Sequence, residues 1–425
     1  MAKFSKVKGT LDYYPNEAYI KNKIFSVFKT TARAFNFQEI DVPCIESFEL
    51  LAAKQGEEIK EQIFNLERKG SERLALRAEF TPSFARTFIE KHKELQKPVK
   101  WFTIGKVWRY ERPQAGRQRE FFQFNAEVYG SNNPEADAEV INLAIECLVS
   151  LGLRTNDFFV KINNRKLLTG LLMEIIKEKN EEDLAKVLRV IDKKKKISEK
   201  MFEEELSFLR KEQIESIKSL FNIDIKILLE KNLNKPSKEG LLELMEVLKY
   251  TNKDFVRFDM SVVRGLAYYT GTVFEIFDSE EKFRSLCGGG RYDNLLAIYG
   301  CEKTPATGFG MGLSTLSMLL KDKGLIPEPE MSPDYYIAII SDAAREEAIN
   351  IASILRKKRS VEIDIMRRNL SNQIKYAKSI KAKKMVVIGE DELKTKKIKI
   401  KDLATGEEKS MGLKEFLADF KDNVK

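Results

Sequence analysis

The sequence predicts an α+β chain in which a helical insert interrupts a sheet-based first unit and a separate α/β domain follows. Three observations lead there. At 425 residues the chain is about three times a typical ~150-residue domain, so it holds two or three packed units. Between about Lys166 and Thr251 the composition turns to Lys, Glu, Leu and Ile at helical spacing, with strand signals on both sides. Pro327, Pro329 and Pro333 then punctuate a linker, after which strands and helices alternate. The expected divisions are a first unit at 1–325 with its insertion at about 168–250, a linker at 326–333 and a last domain at 334–425.

In chain order, apolar residues recur at helical spacing from Asn16 to Phe35, and Glu39 to Pro43 reads as a short strand closed by proline. In LRAEFTPSFAR, Glu79 and Thr81 stand just ahead of a helix, where Thr81 with Pro82 reads as an N-cap and a first-turn proline. Lys100 to Glu111 and Phe121 to Tyr129 form a hairpin whose long loop carries Pro113, Gly116 and several arginines. Asn133 is placed to cap a helix with Pro134 first, Glu135, Asp137 and Glu139 near the positive end of its dipole and Gly152 just past its end. The insert carries the run DKKKK at Asp192 to Lys196, and strand signals return from Val256 to Asp278 and around Gly308 to Gly312. In the last domain YYIAII, VEIDI, KMVVIG and IKIKD are strands with helices among them.

Composition removes whole classes of chemistry. Mean hydropathy is −0.36 and no stretch approaches the ~18 apolar residues of a spanning helix, so no membrane span is expected. The N-terminus lacks a signal-peptide pattern, and a cytoplasmic location is expected. The single histidine, His92, lies on a charged helix face, which argues against His triads, His general bases and His-rich metal sites. Cys44, Cys147, Cys287 and Cys301 form no CxxC, so zinc clusters and a disulfide framework are disfavoured. The net charge of +9 suits a polyanionic partner without requiring one, and an excess of six positive charges lies between Asp334 and Lys425.

Two segments concentrate candidate chemistry. In VWRYERPQAGRQREFFQFNAEVYG, alternation puts Gln123, Asn125 and Glu127 on one strand face and Phe122, Phe124, Ala126 and Val128 on the other. Arg109, Arg112, Arg117 and Arg119 crowd the adjoining loop, where fixed cations repel one another unless an anion joins them, and phosphates are the natural anion. A solvated edge hairpin would explain any two of these arginines. In RFDMSVVRGLAYYTGTVFEIF, Arg264 precedes a glycine and Tyr268 and Tyr269 stand at a strand entrance; an ordinary Tyr-rich turn is the bland alternative. The glycines of CGGGRYD and GFGMG leave one strand face bare, either for a ligand or for close packing, and neither has the context of a dinucleotide fingerprint or a P-loop.

Together with KGTLDYYP, IDVPCIESFELL with Pro43 and Glu46, and GGGRYD, these segments resemble class II aminoacyl-tRNA synthetases, and specifically the histidyl-tRNA synthetase family, over nearly the whole chain. The resemblance implies a six-stranded antiparallel sheet with flanking helices, an insert reaching toward the tRNA acceptor stem, a C-terminal anticodon-binding domain and a homodimer. It implies ATP as substrate, Mg²⁺, and L-histidine and tRNA(His) as partners. By resemblance, Arg109 contacts the α-phosphate, Glu111 orients the adenine, Arg117 holds the outer phosphates and Phe121 stacks on the base. Glu79, Thr81 and Gln123 hold the α-amino end of histidine, Glu127 with Tyr268 or Tyr269 bonds its imidazole, and Arg264 is the catalytic cation. The segment Met366 to Lys384 is expected to face the anticodon stem and loop.

Three positions depart from the family pattern. Ser314 and Thr315 stand where a Glu-Arg pair is usual, Ala267 replaces a common aspartate and Phe80 a common glycine. The missing arginine keeps a second reading open, a catalytically silent relative such as the regulatory subunit of ATP phosphoribosyltransferase. Against it stand the arginine loop, Arg264, the paired tyrosines and the basic last domain.

Overall fold

The computed structural model describes residues 4–53, 61–67, 70–177, 181–194, 197–263 and 268–420. It divides into two compact units, Met1–Pro327 and Glu328–Lys425. Arg264, Ala267, Lys195 and Lys196 lie outside the described residues.

The strands of the first unit are β1 (Gln38–Glu39), β2 (Ile45–Ser47), β3 (Leu74–Leu76), β4 (Val99–Trp108), β5 (Glu120–Tyr129), β6 (Phe158–Asn164), β7 (Val256–Phe258), β8 (Thr272–Asp278), β9 (Cys287–Arg291) and β10 (Ala306–Gly312). Its helices are α1 (Pro15–Ala34), α2 (Phe48–Ala52), α3 (Thr81–Lys91), α4 (Pro134–Val149), α5 (Arg165–Ile176), α6 (Glu181–Lys193), α7 (Glu199–Glu205), α8 (Lys211–Leu220), α9 (Ile225–Glu230), α10 (Lys235–Tyr250), α11 (Leu295–Ile298) and α12 (Leu313–Asp322). One sheet organises them in the order β1-β4-β5-β10-β9-β8-β6-β7. Its six central strands are antiparallel, as expected, and the short β1 and β7 add parallel edges. Of the strand read from Glu39 to Pro43 only Glu39 pairs with β4, beside Gln38, and the chain leaves the sheet after one further backbone bond from Ile40 to Phe102.

The two sheet faces differ as the alternation in β5 requires. The apolar face carries Phe124, Ala126 and Val128 against α1 and α4, with Phe28 stacked on Phe124 at 4.9 Å and Phe309 edge-on at 5.4 Å. Burying such side chains contributes roughly 1.5–3 kcal/mol each. The helices between β6 and β7 form the insert, of which α10 packs back onto α4 and α5. Two capping expectations fail in detail. Thr81 is the first residue of α3, so the cap position falls to Phe80, and no side chain bonds there. Asn133 holds the cap position of α4, yet its side chain makes no capping bond. Its carbonyl instead accepts from Arg291 Nη2 at 3.1 Å, while Arg291 Nε donates to Asp137 at 2.8 Å.

The second unit has strands β11 (Tyr335–Ile339), β12 (Val361–Ile363), β13 (Lys384–Ile388), β14 (Lys397–Asp402) and β15 (Glu408–Gly412), in the order β12-β11-β13-β14-β15, with helices α13 (Arg345–Leu355), α14 (Leu370–Ser379), α15 (Glu390–Thr395) and α16 (Leu413–Ala418). In the basic segment expected to bind RNA, the helix starts at Leu370, capped by Asn369. Gln373 is fully buried and bonds Ile339 N and O, and Arg368 pairs with buried Asp364 at 2.9 Å. Part of that segment is therefore structural.

Arg291 and Asp137 tie β9 to the first turn of α4 in the core, where an unpaired charge is costly. Replacing Arg291 with Met is expected to lower the unfolding free energy by about 3–5 kcal/mol in urea titrations. A loss below about 1 kcal/mol would show that the pair does not hold the sheet to the helix.

Candidate functional site

The polar row of β5 lies across the glycines of β10. Gln123, Asn125 and Glu127 face Gly312, Gly310 and Gly308 in register. A Cβ at Gly308 would lie 2.6 Å from both Ala126 O and Glu127 Cγ, and one at Gly310 would lie 1.9 Å from Gln123 Nε2. These two glycines therefore make room for polar side chains of the neighbouring strand. Only Gly312 leaves open space, with nothing within 4 Å of an added Cβ.

Along the row Gln123 Nε2 donates to Asn125 Oδ1 at 3.3 Å, and Asn125 Nδ2 donates to Glu127 Oε1 at 2.8 Å. Tyr129 Oη donates to the other carboxylate oxygen of Glu127, which is 1 % exposed. Burial first and the Glu127 carboxylate second push the Tyr129 and Tyr292 phenols well above their ordinary pKa, so both remain proton donors. Tyr292 also packs against Tyr268, ring centres 5.7 Å apart, and Tyr268 lies 4.7 Å from Tyr269. Burial raises Tyr299 likewise, with the charges of Glu79 and Glu127 adding to it. Glu79, Thr81, Gln123, Glu127, Tyr268 and Tyr269 are all buried.

A cavity of about 480 Å³ opens beside this cluster. Arg109, Glu111, Arg117 and Phe121 all line it, together with Gly312, Ser314, Thr315, Glu275 and Arg284. Arg109 is aimed by a bond from Nε to Ala78 O at 3.0 Å and lies 5.6 Å from the centre of the Phe121 ring. Arg117 pairs with Glu111. The other two loop arginines serve differently. Arg119 donates to Glu111 O at 3.2 Å and covers the Tyr110 ring at 4.1 Å, while Arg112 is exposed and does not line the cavity. The loop tip leans on α12, with Ser314 Oγ bonded to Gln118 Oε1 at 3.4 Å.

Of the six residues expected to hold an amino acid, Tyr269 lines a separate cavity of about 710 Å³, which it shares with Arg165, Lys166 and Asp293. Phe80 is accommodated where a glycine was expected because Gly105 faces it: a Cβ there would lie 3.0 Å from Phe80 Cζ. The guanidinium of Arg77 covers the same ring at 4.3 Å and donates to Lys106 O at 3.0 Å and Pro43 O at 2.8 Å. Sequence reasoning missed Tyr292 as a neighbour of Glu127, although GGGRYD contains it, and missed Arg284 and Glu275, for which no spacing signal exists.

A family model described as histidyl-tRNA synthetase matches residues 9–316, and one described as an anticodon binding domain matches residues 334–423. The histidine–tRNA ligase of Natronomonas pharaonis is 36% identical over 422 residues, covering 97% of each chain. That of Pyrococcus furiosus is 35% identical over 434 residues, covering 99% of each. The crystal structure of histidyl-tRNA synthetase from Nostoc is similar with a TM-score of 0.79 at 25% identity, covering 99% of this chain and 100% of that one.

The glycine face can be tested by itself. Gly308→Ala is expected to cost about 1–3 kcal/mol of stability, because backbone and a buried carboxylate stem lie in the way, whereas Gly312→Ala should change it by less than about 0.5 kcal/mol. Equal effects in chemical denaturation would refute the assignment of Gly308 to the Glu127 row.

Proposed function

The chain belongs to the histidyl-tRNA synthetase family, an enzyme that activates histidine and joins it to tRNA, and on that premise we propose how its residues divide the work. ATP occupies the 480 Å³ cavity, with Arg109 on the α-phosphate, Glu111 at the adenine edge, Arg117 on the outer phosphates and Phe121 against the base. The observation that carries this reading is that these four residues line one cavity. Histidine lies beside it, its imidazole between the Glu127 carboxylate and the phenols of Tyr268 or Tyr269 with Tyr292, and its amino group toward Glu79, Thr81 and Gln123. A carboxylate acceptor and protonated phenol donors match the two ring nitrogens. A competing side chain would leave them unpaired in a buried site, at about 10⁴-fold or more in specificity.

In the first step an oxygen of the histidine carboxylate bonds to the α-phosphorus while the α–β bridging P–O bond breaks, releasing pyrophosphate. Negative charge grows on the α-phosphate, where Arg109 is positioned to stabilise it. Arg264 is proposed for the same task on sequence grounds. In the second step a terminal ribose hydroxyl of tRNA(His) attacks the aminoacyl carbonyl and AMP departs. Neither step needs a protein nucleophile. Among the described residues no three His, Cys, Asp or Glu side chains gather as a metal-binding group. The carboxylates in the cavity suit Mg²⁺ held jointly with substrate phosphates, and Glu275 would serve there, the ion neutralising phosphate charge.

The second unit is proposed to hold the anticodon stem and loop, its match to an anticodon binding domain supporting this. A homodimer is proposed through the β2–β3 ribbon, where Ile45 and Leu74 are exposed beside Glu46, which Arg86 holds with two hydrogen bonds. A cytoplasmic location is proposed with it; no helix among the described residues is long and apolar enough to cross a membrane. The silent regulatory reading is not favoured, because the full-length relatives are histidine–tRNA ligases and the second unit matches an RNA-binding family.

Histidine-dependent exchange of pyrophosphate into ATP is the direct test, and its absence in folded protein would overturn the reading. In that assay Glu127→Gln is expected to lower kcat/KM for histidine by about 10²-fold or more while leaving the KM for ATP within about twofold. Deleting residues from Asp334 onward should leave exchange within about threefold but weaken tRNA charging by about 10²-fold and flatten its salt dependence. Equal loss of both activities would reject the division between the units.

A further inference from the structure

The 480 Å³ cavity is bordered by a third guanidinium, Arg284, in addition to Arg109 and Arg117. Each of the other two is already engaged, Arg109 with Ala78 O and Arg117 with Glu111. Arg284 is exposed at the cavity rim and makes no hydrogen bond or ion pair among the described residues. Its backbone is nevertheless fixed. Two residues on, Leu286 N donates to Ile276 O at 2.8 Å, and Leu286 O accepts from Gly312 N at 3.2 Å, which anchors the β8–β9 connection to the start of α12. The hydroxyl of Ser285 closes the turn on Cys287 O at 2.7 Å.

This anchorage sets Arg284 beside residues that supply no cation of their own, Ser314 and Thr315. It also sets it close enough to Arg117 for the two charges to repel. Burial lowers the Arg284 pKa first, the Arg117 guanidinium lowers it further, and Glu111 opposes both. Two guanidinium groups held near one another at a cavity, one of them with no hydrogen bond or ion pair among the described residues, are an arrangement that a multivalent anion relieves.

We propose that Arg284 is a nucleotide-binding residue that joins Arg117 in clamping the outer phosphates of ATP. The proposal rests on the placement of ATP in this cavity. It assigns Arg284 to the β- and γ-phosphates, which ATP has and AMP lacks, and so separates its role from that of Phe121 and Glu111 at the base. On ATP arrival Arg117 exchanges its Glu111 partner for phosphate, and Arg284 gains a direct hydrogen-bonded one.

The test compares Arg284→Ala with the unaltered protein. In pyrophosphate exchange the KM for ATP should rise about 5- to 30-fold, as expected for a lost charge-assisted contact at a partly solvated rim, with the KM for histidine within twofold. In calorimetry with ATP and with AMP as separate probes, affinity for ATP should fall by a similar factor and that for AMP should hold. Arg284→Gln, which keeps the stem and an amide, provides a second variant with the same expected selectivity. If ATP and AMP weaken alike, or if the KM for ATP moves less than twofold in an active protein, the phosphate assignment is wrong. If the unaltered protein neither exchanges pyrophosphate nor binds ATP, it is the underlying placement of ATP that fails.

Discussion

A buried carboxylate on a strand interior constrains everything around it. Glu127 lies in the middle of the sheet, and a charge there is tolerated only if every lone pair has a donor. Asn125 and Tyr129 donate along the same strand and Tyr292 approaches from beyond β9, so two strands must keep register for one side chain. The side chain also needs space, and the sheet provides it by omitting Cβ atoms on the next strand. Gly308 follows from that need, and Gly310 makes the same room for Gln123. The strand order matters for the same reason: β10 must lie between β5 and β9 for glycine and phenol to meet the acid together.

The opposite face of the same strands has no such requirement and is filled to core density. Phe124 and Phe309 meet edge-on beneath the polar row, and α4 closes over them. One strand thus supplies a rigid apolar back and a hydrogen-bonded front. Side chains on such a strand are positioned more tightly than side chains on a loop, which suits a site that must read a small ring. The arginines stand differently, on the loop beyond β4 and on the β8–β9 connection, where long side chains can follow a phosphate chain.

Legibility followed the range of the interactions. The alternation of β5 is local, so its two faces could be read directly, and α1 announced itself by spacing and α4 by proline at its first position. Motif resemblance reached further, bringing Arg109, Glu111, Arg117 and Phe121 to one expectation, and they share one cavity. What could not be read depended on partners distant in sequence. The Asn133 carbonyl is held by the Arg291 guanidinium, 158 residues away, while the side-chain cap expected of Asn133 is not made. Gly105 makes room for Phe80 from a different strand, which nothing near Phe80 announces. The role of Thr81 was misread because the helix already includes it, so the cap position falls one residue earlier, on Phe80, whose side chain has no group to cap with.

The same distinction explains how a chain with one histidine can be built to select histidine. An imidazole in the wall would titrate near neutrality and would present the site with the chemistry it has to recognise. Carboxylate and phenol avoid this. Burial and the Glu127 charge hold the Tyr129 and Tyr292 phenols protonated far above physiological pH, so the donor pattern of the wall stays fixed while the charge of a ligand can vary. The cations proposed to stabilise the reaction are arginines, a residue type that stays charged throughout the physiological range. The pattern of donors and acceptors is therefore set by packing, and the packing depends on Gly308, which makes room for Glu127, and on Gly310, which makes room for Gln123.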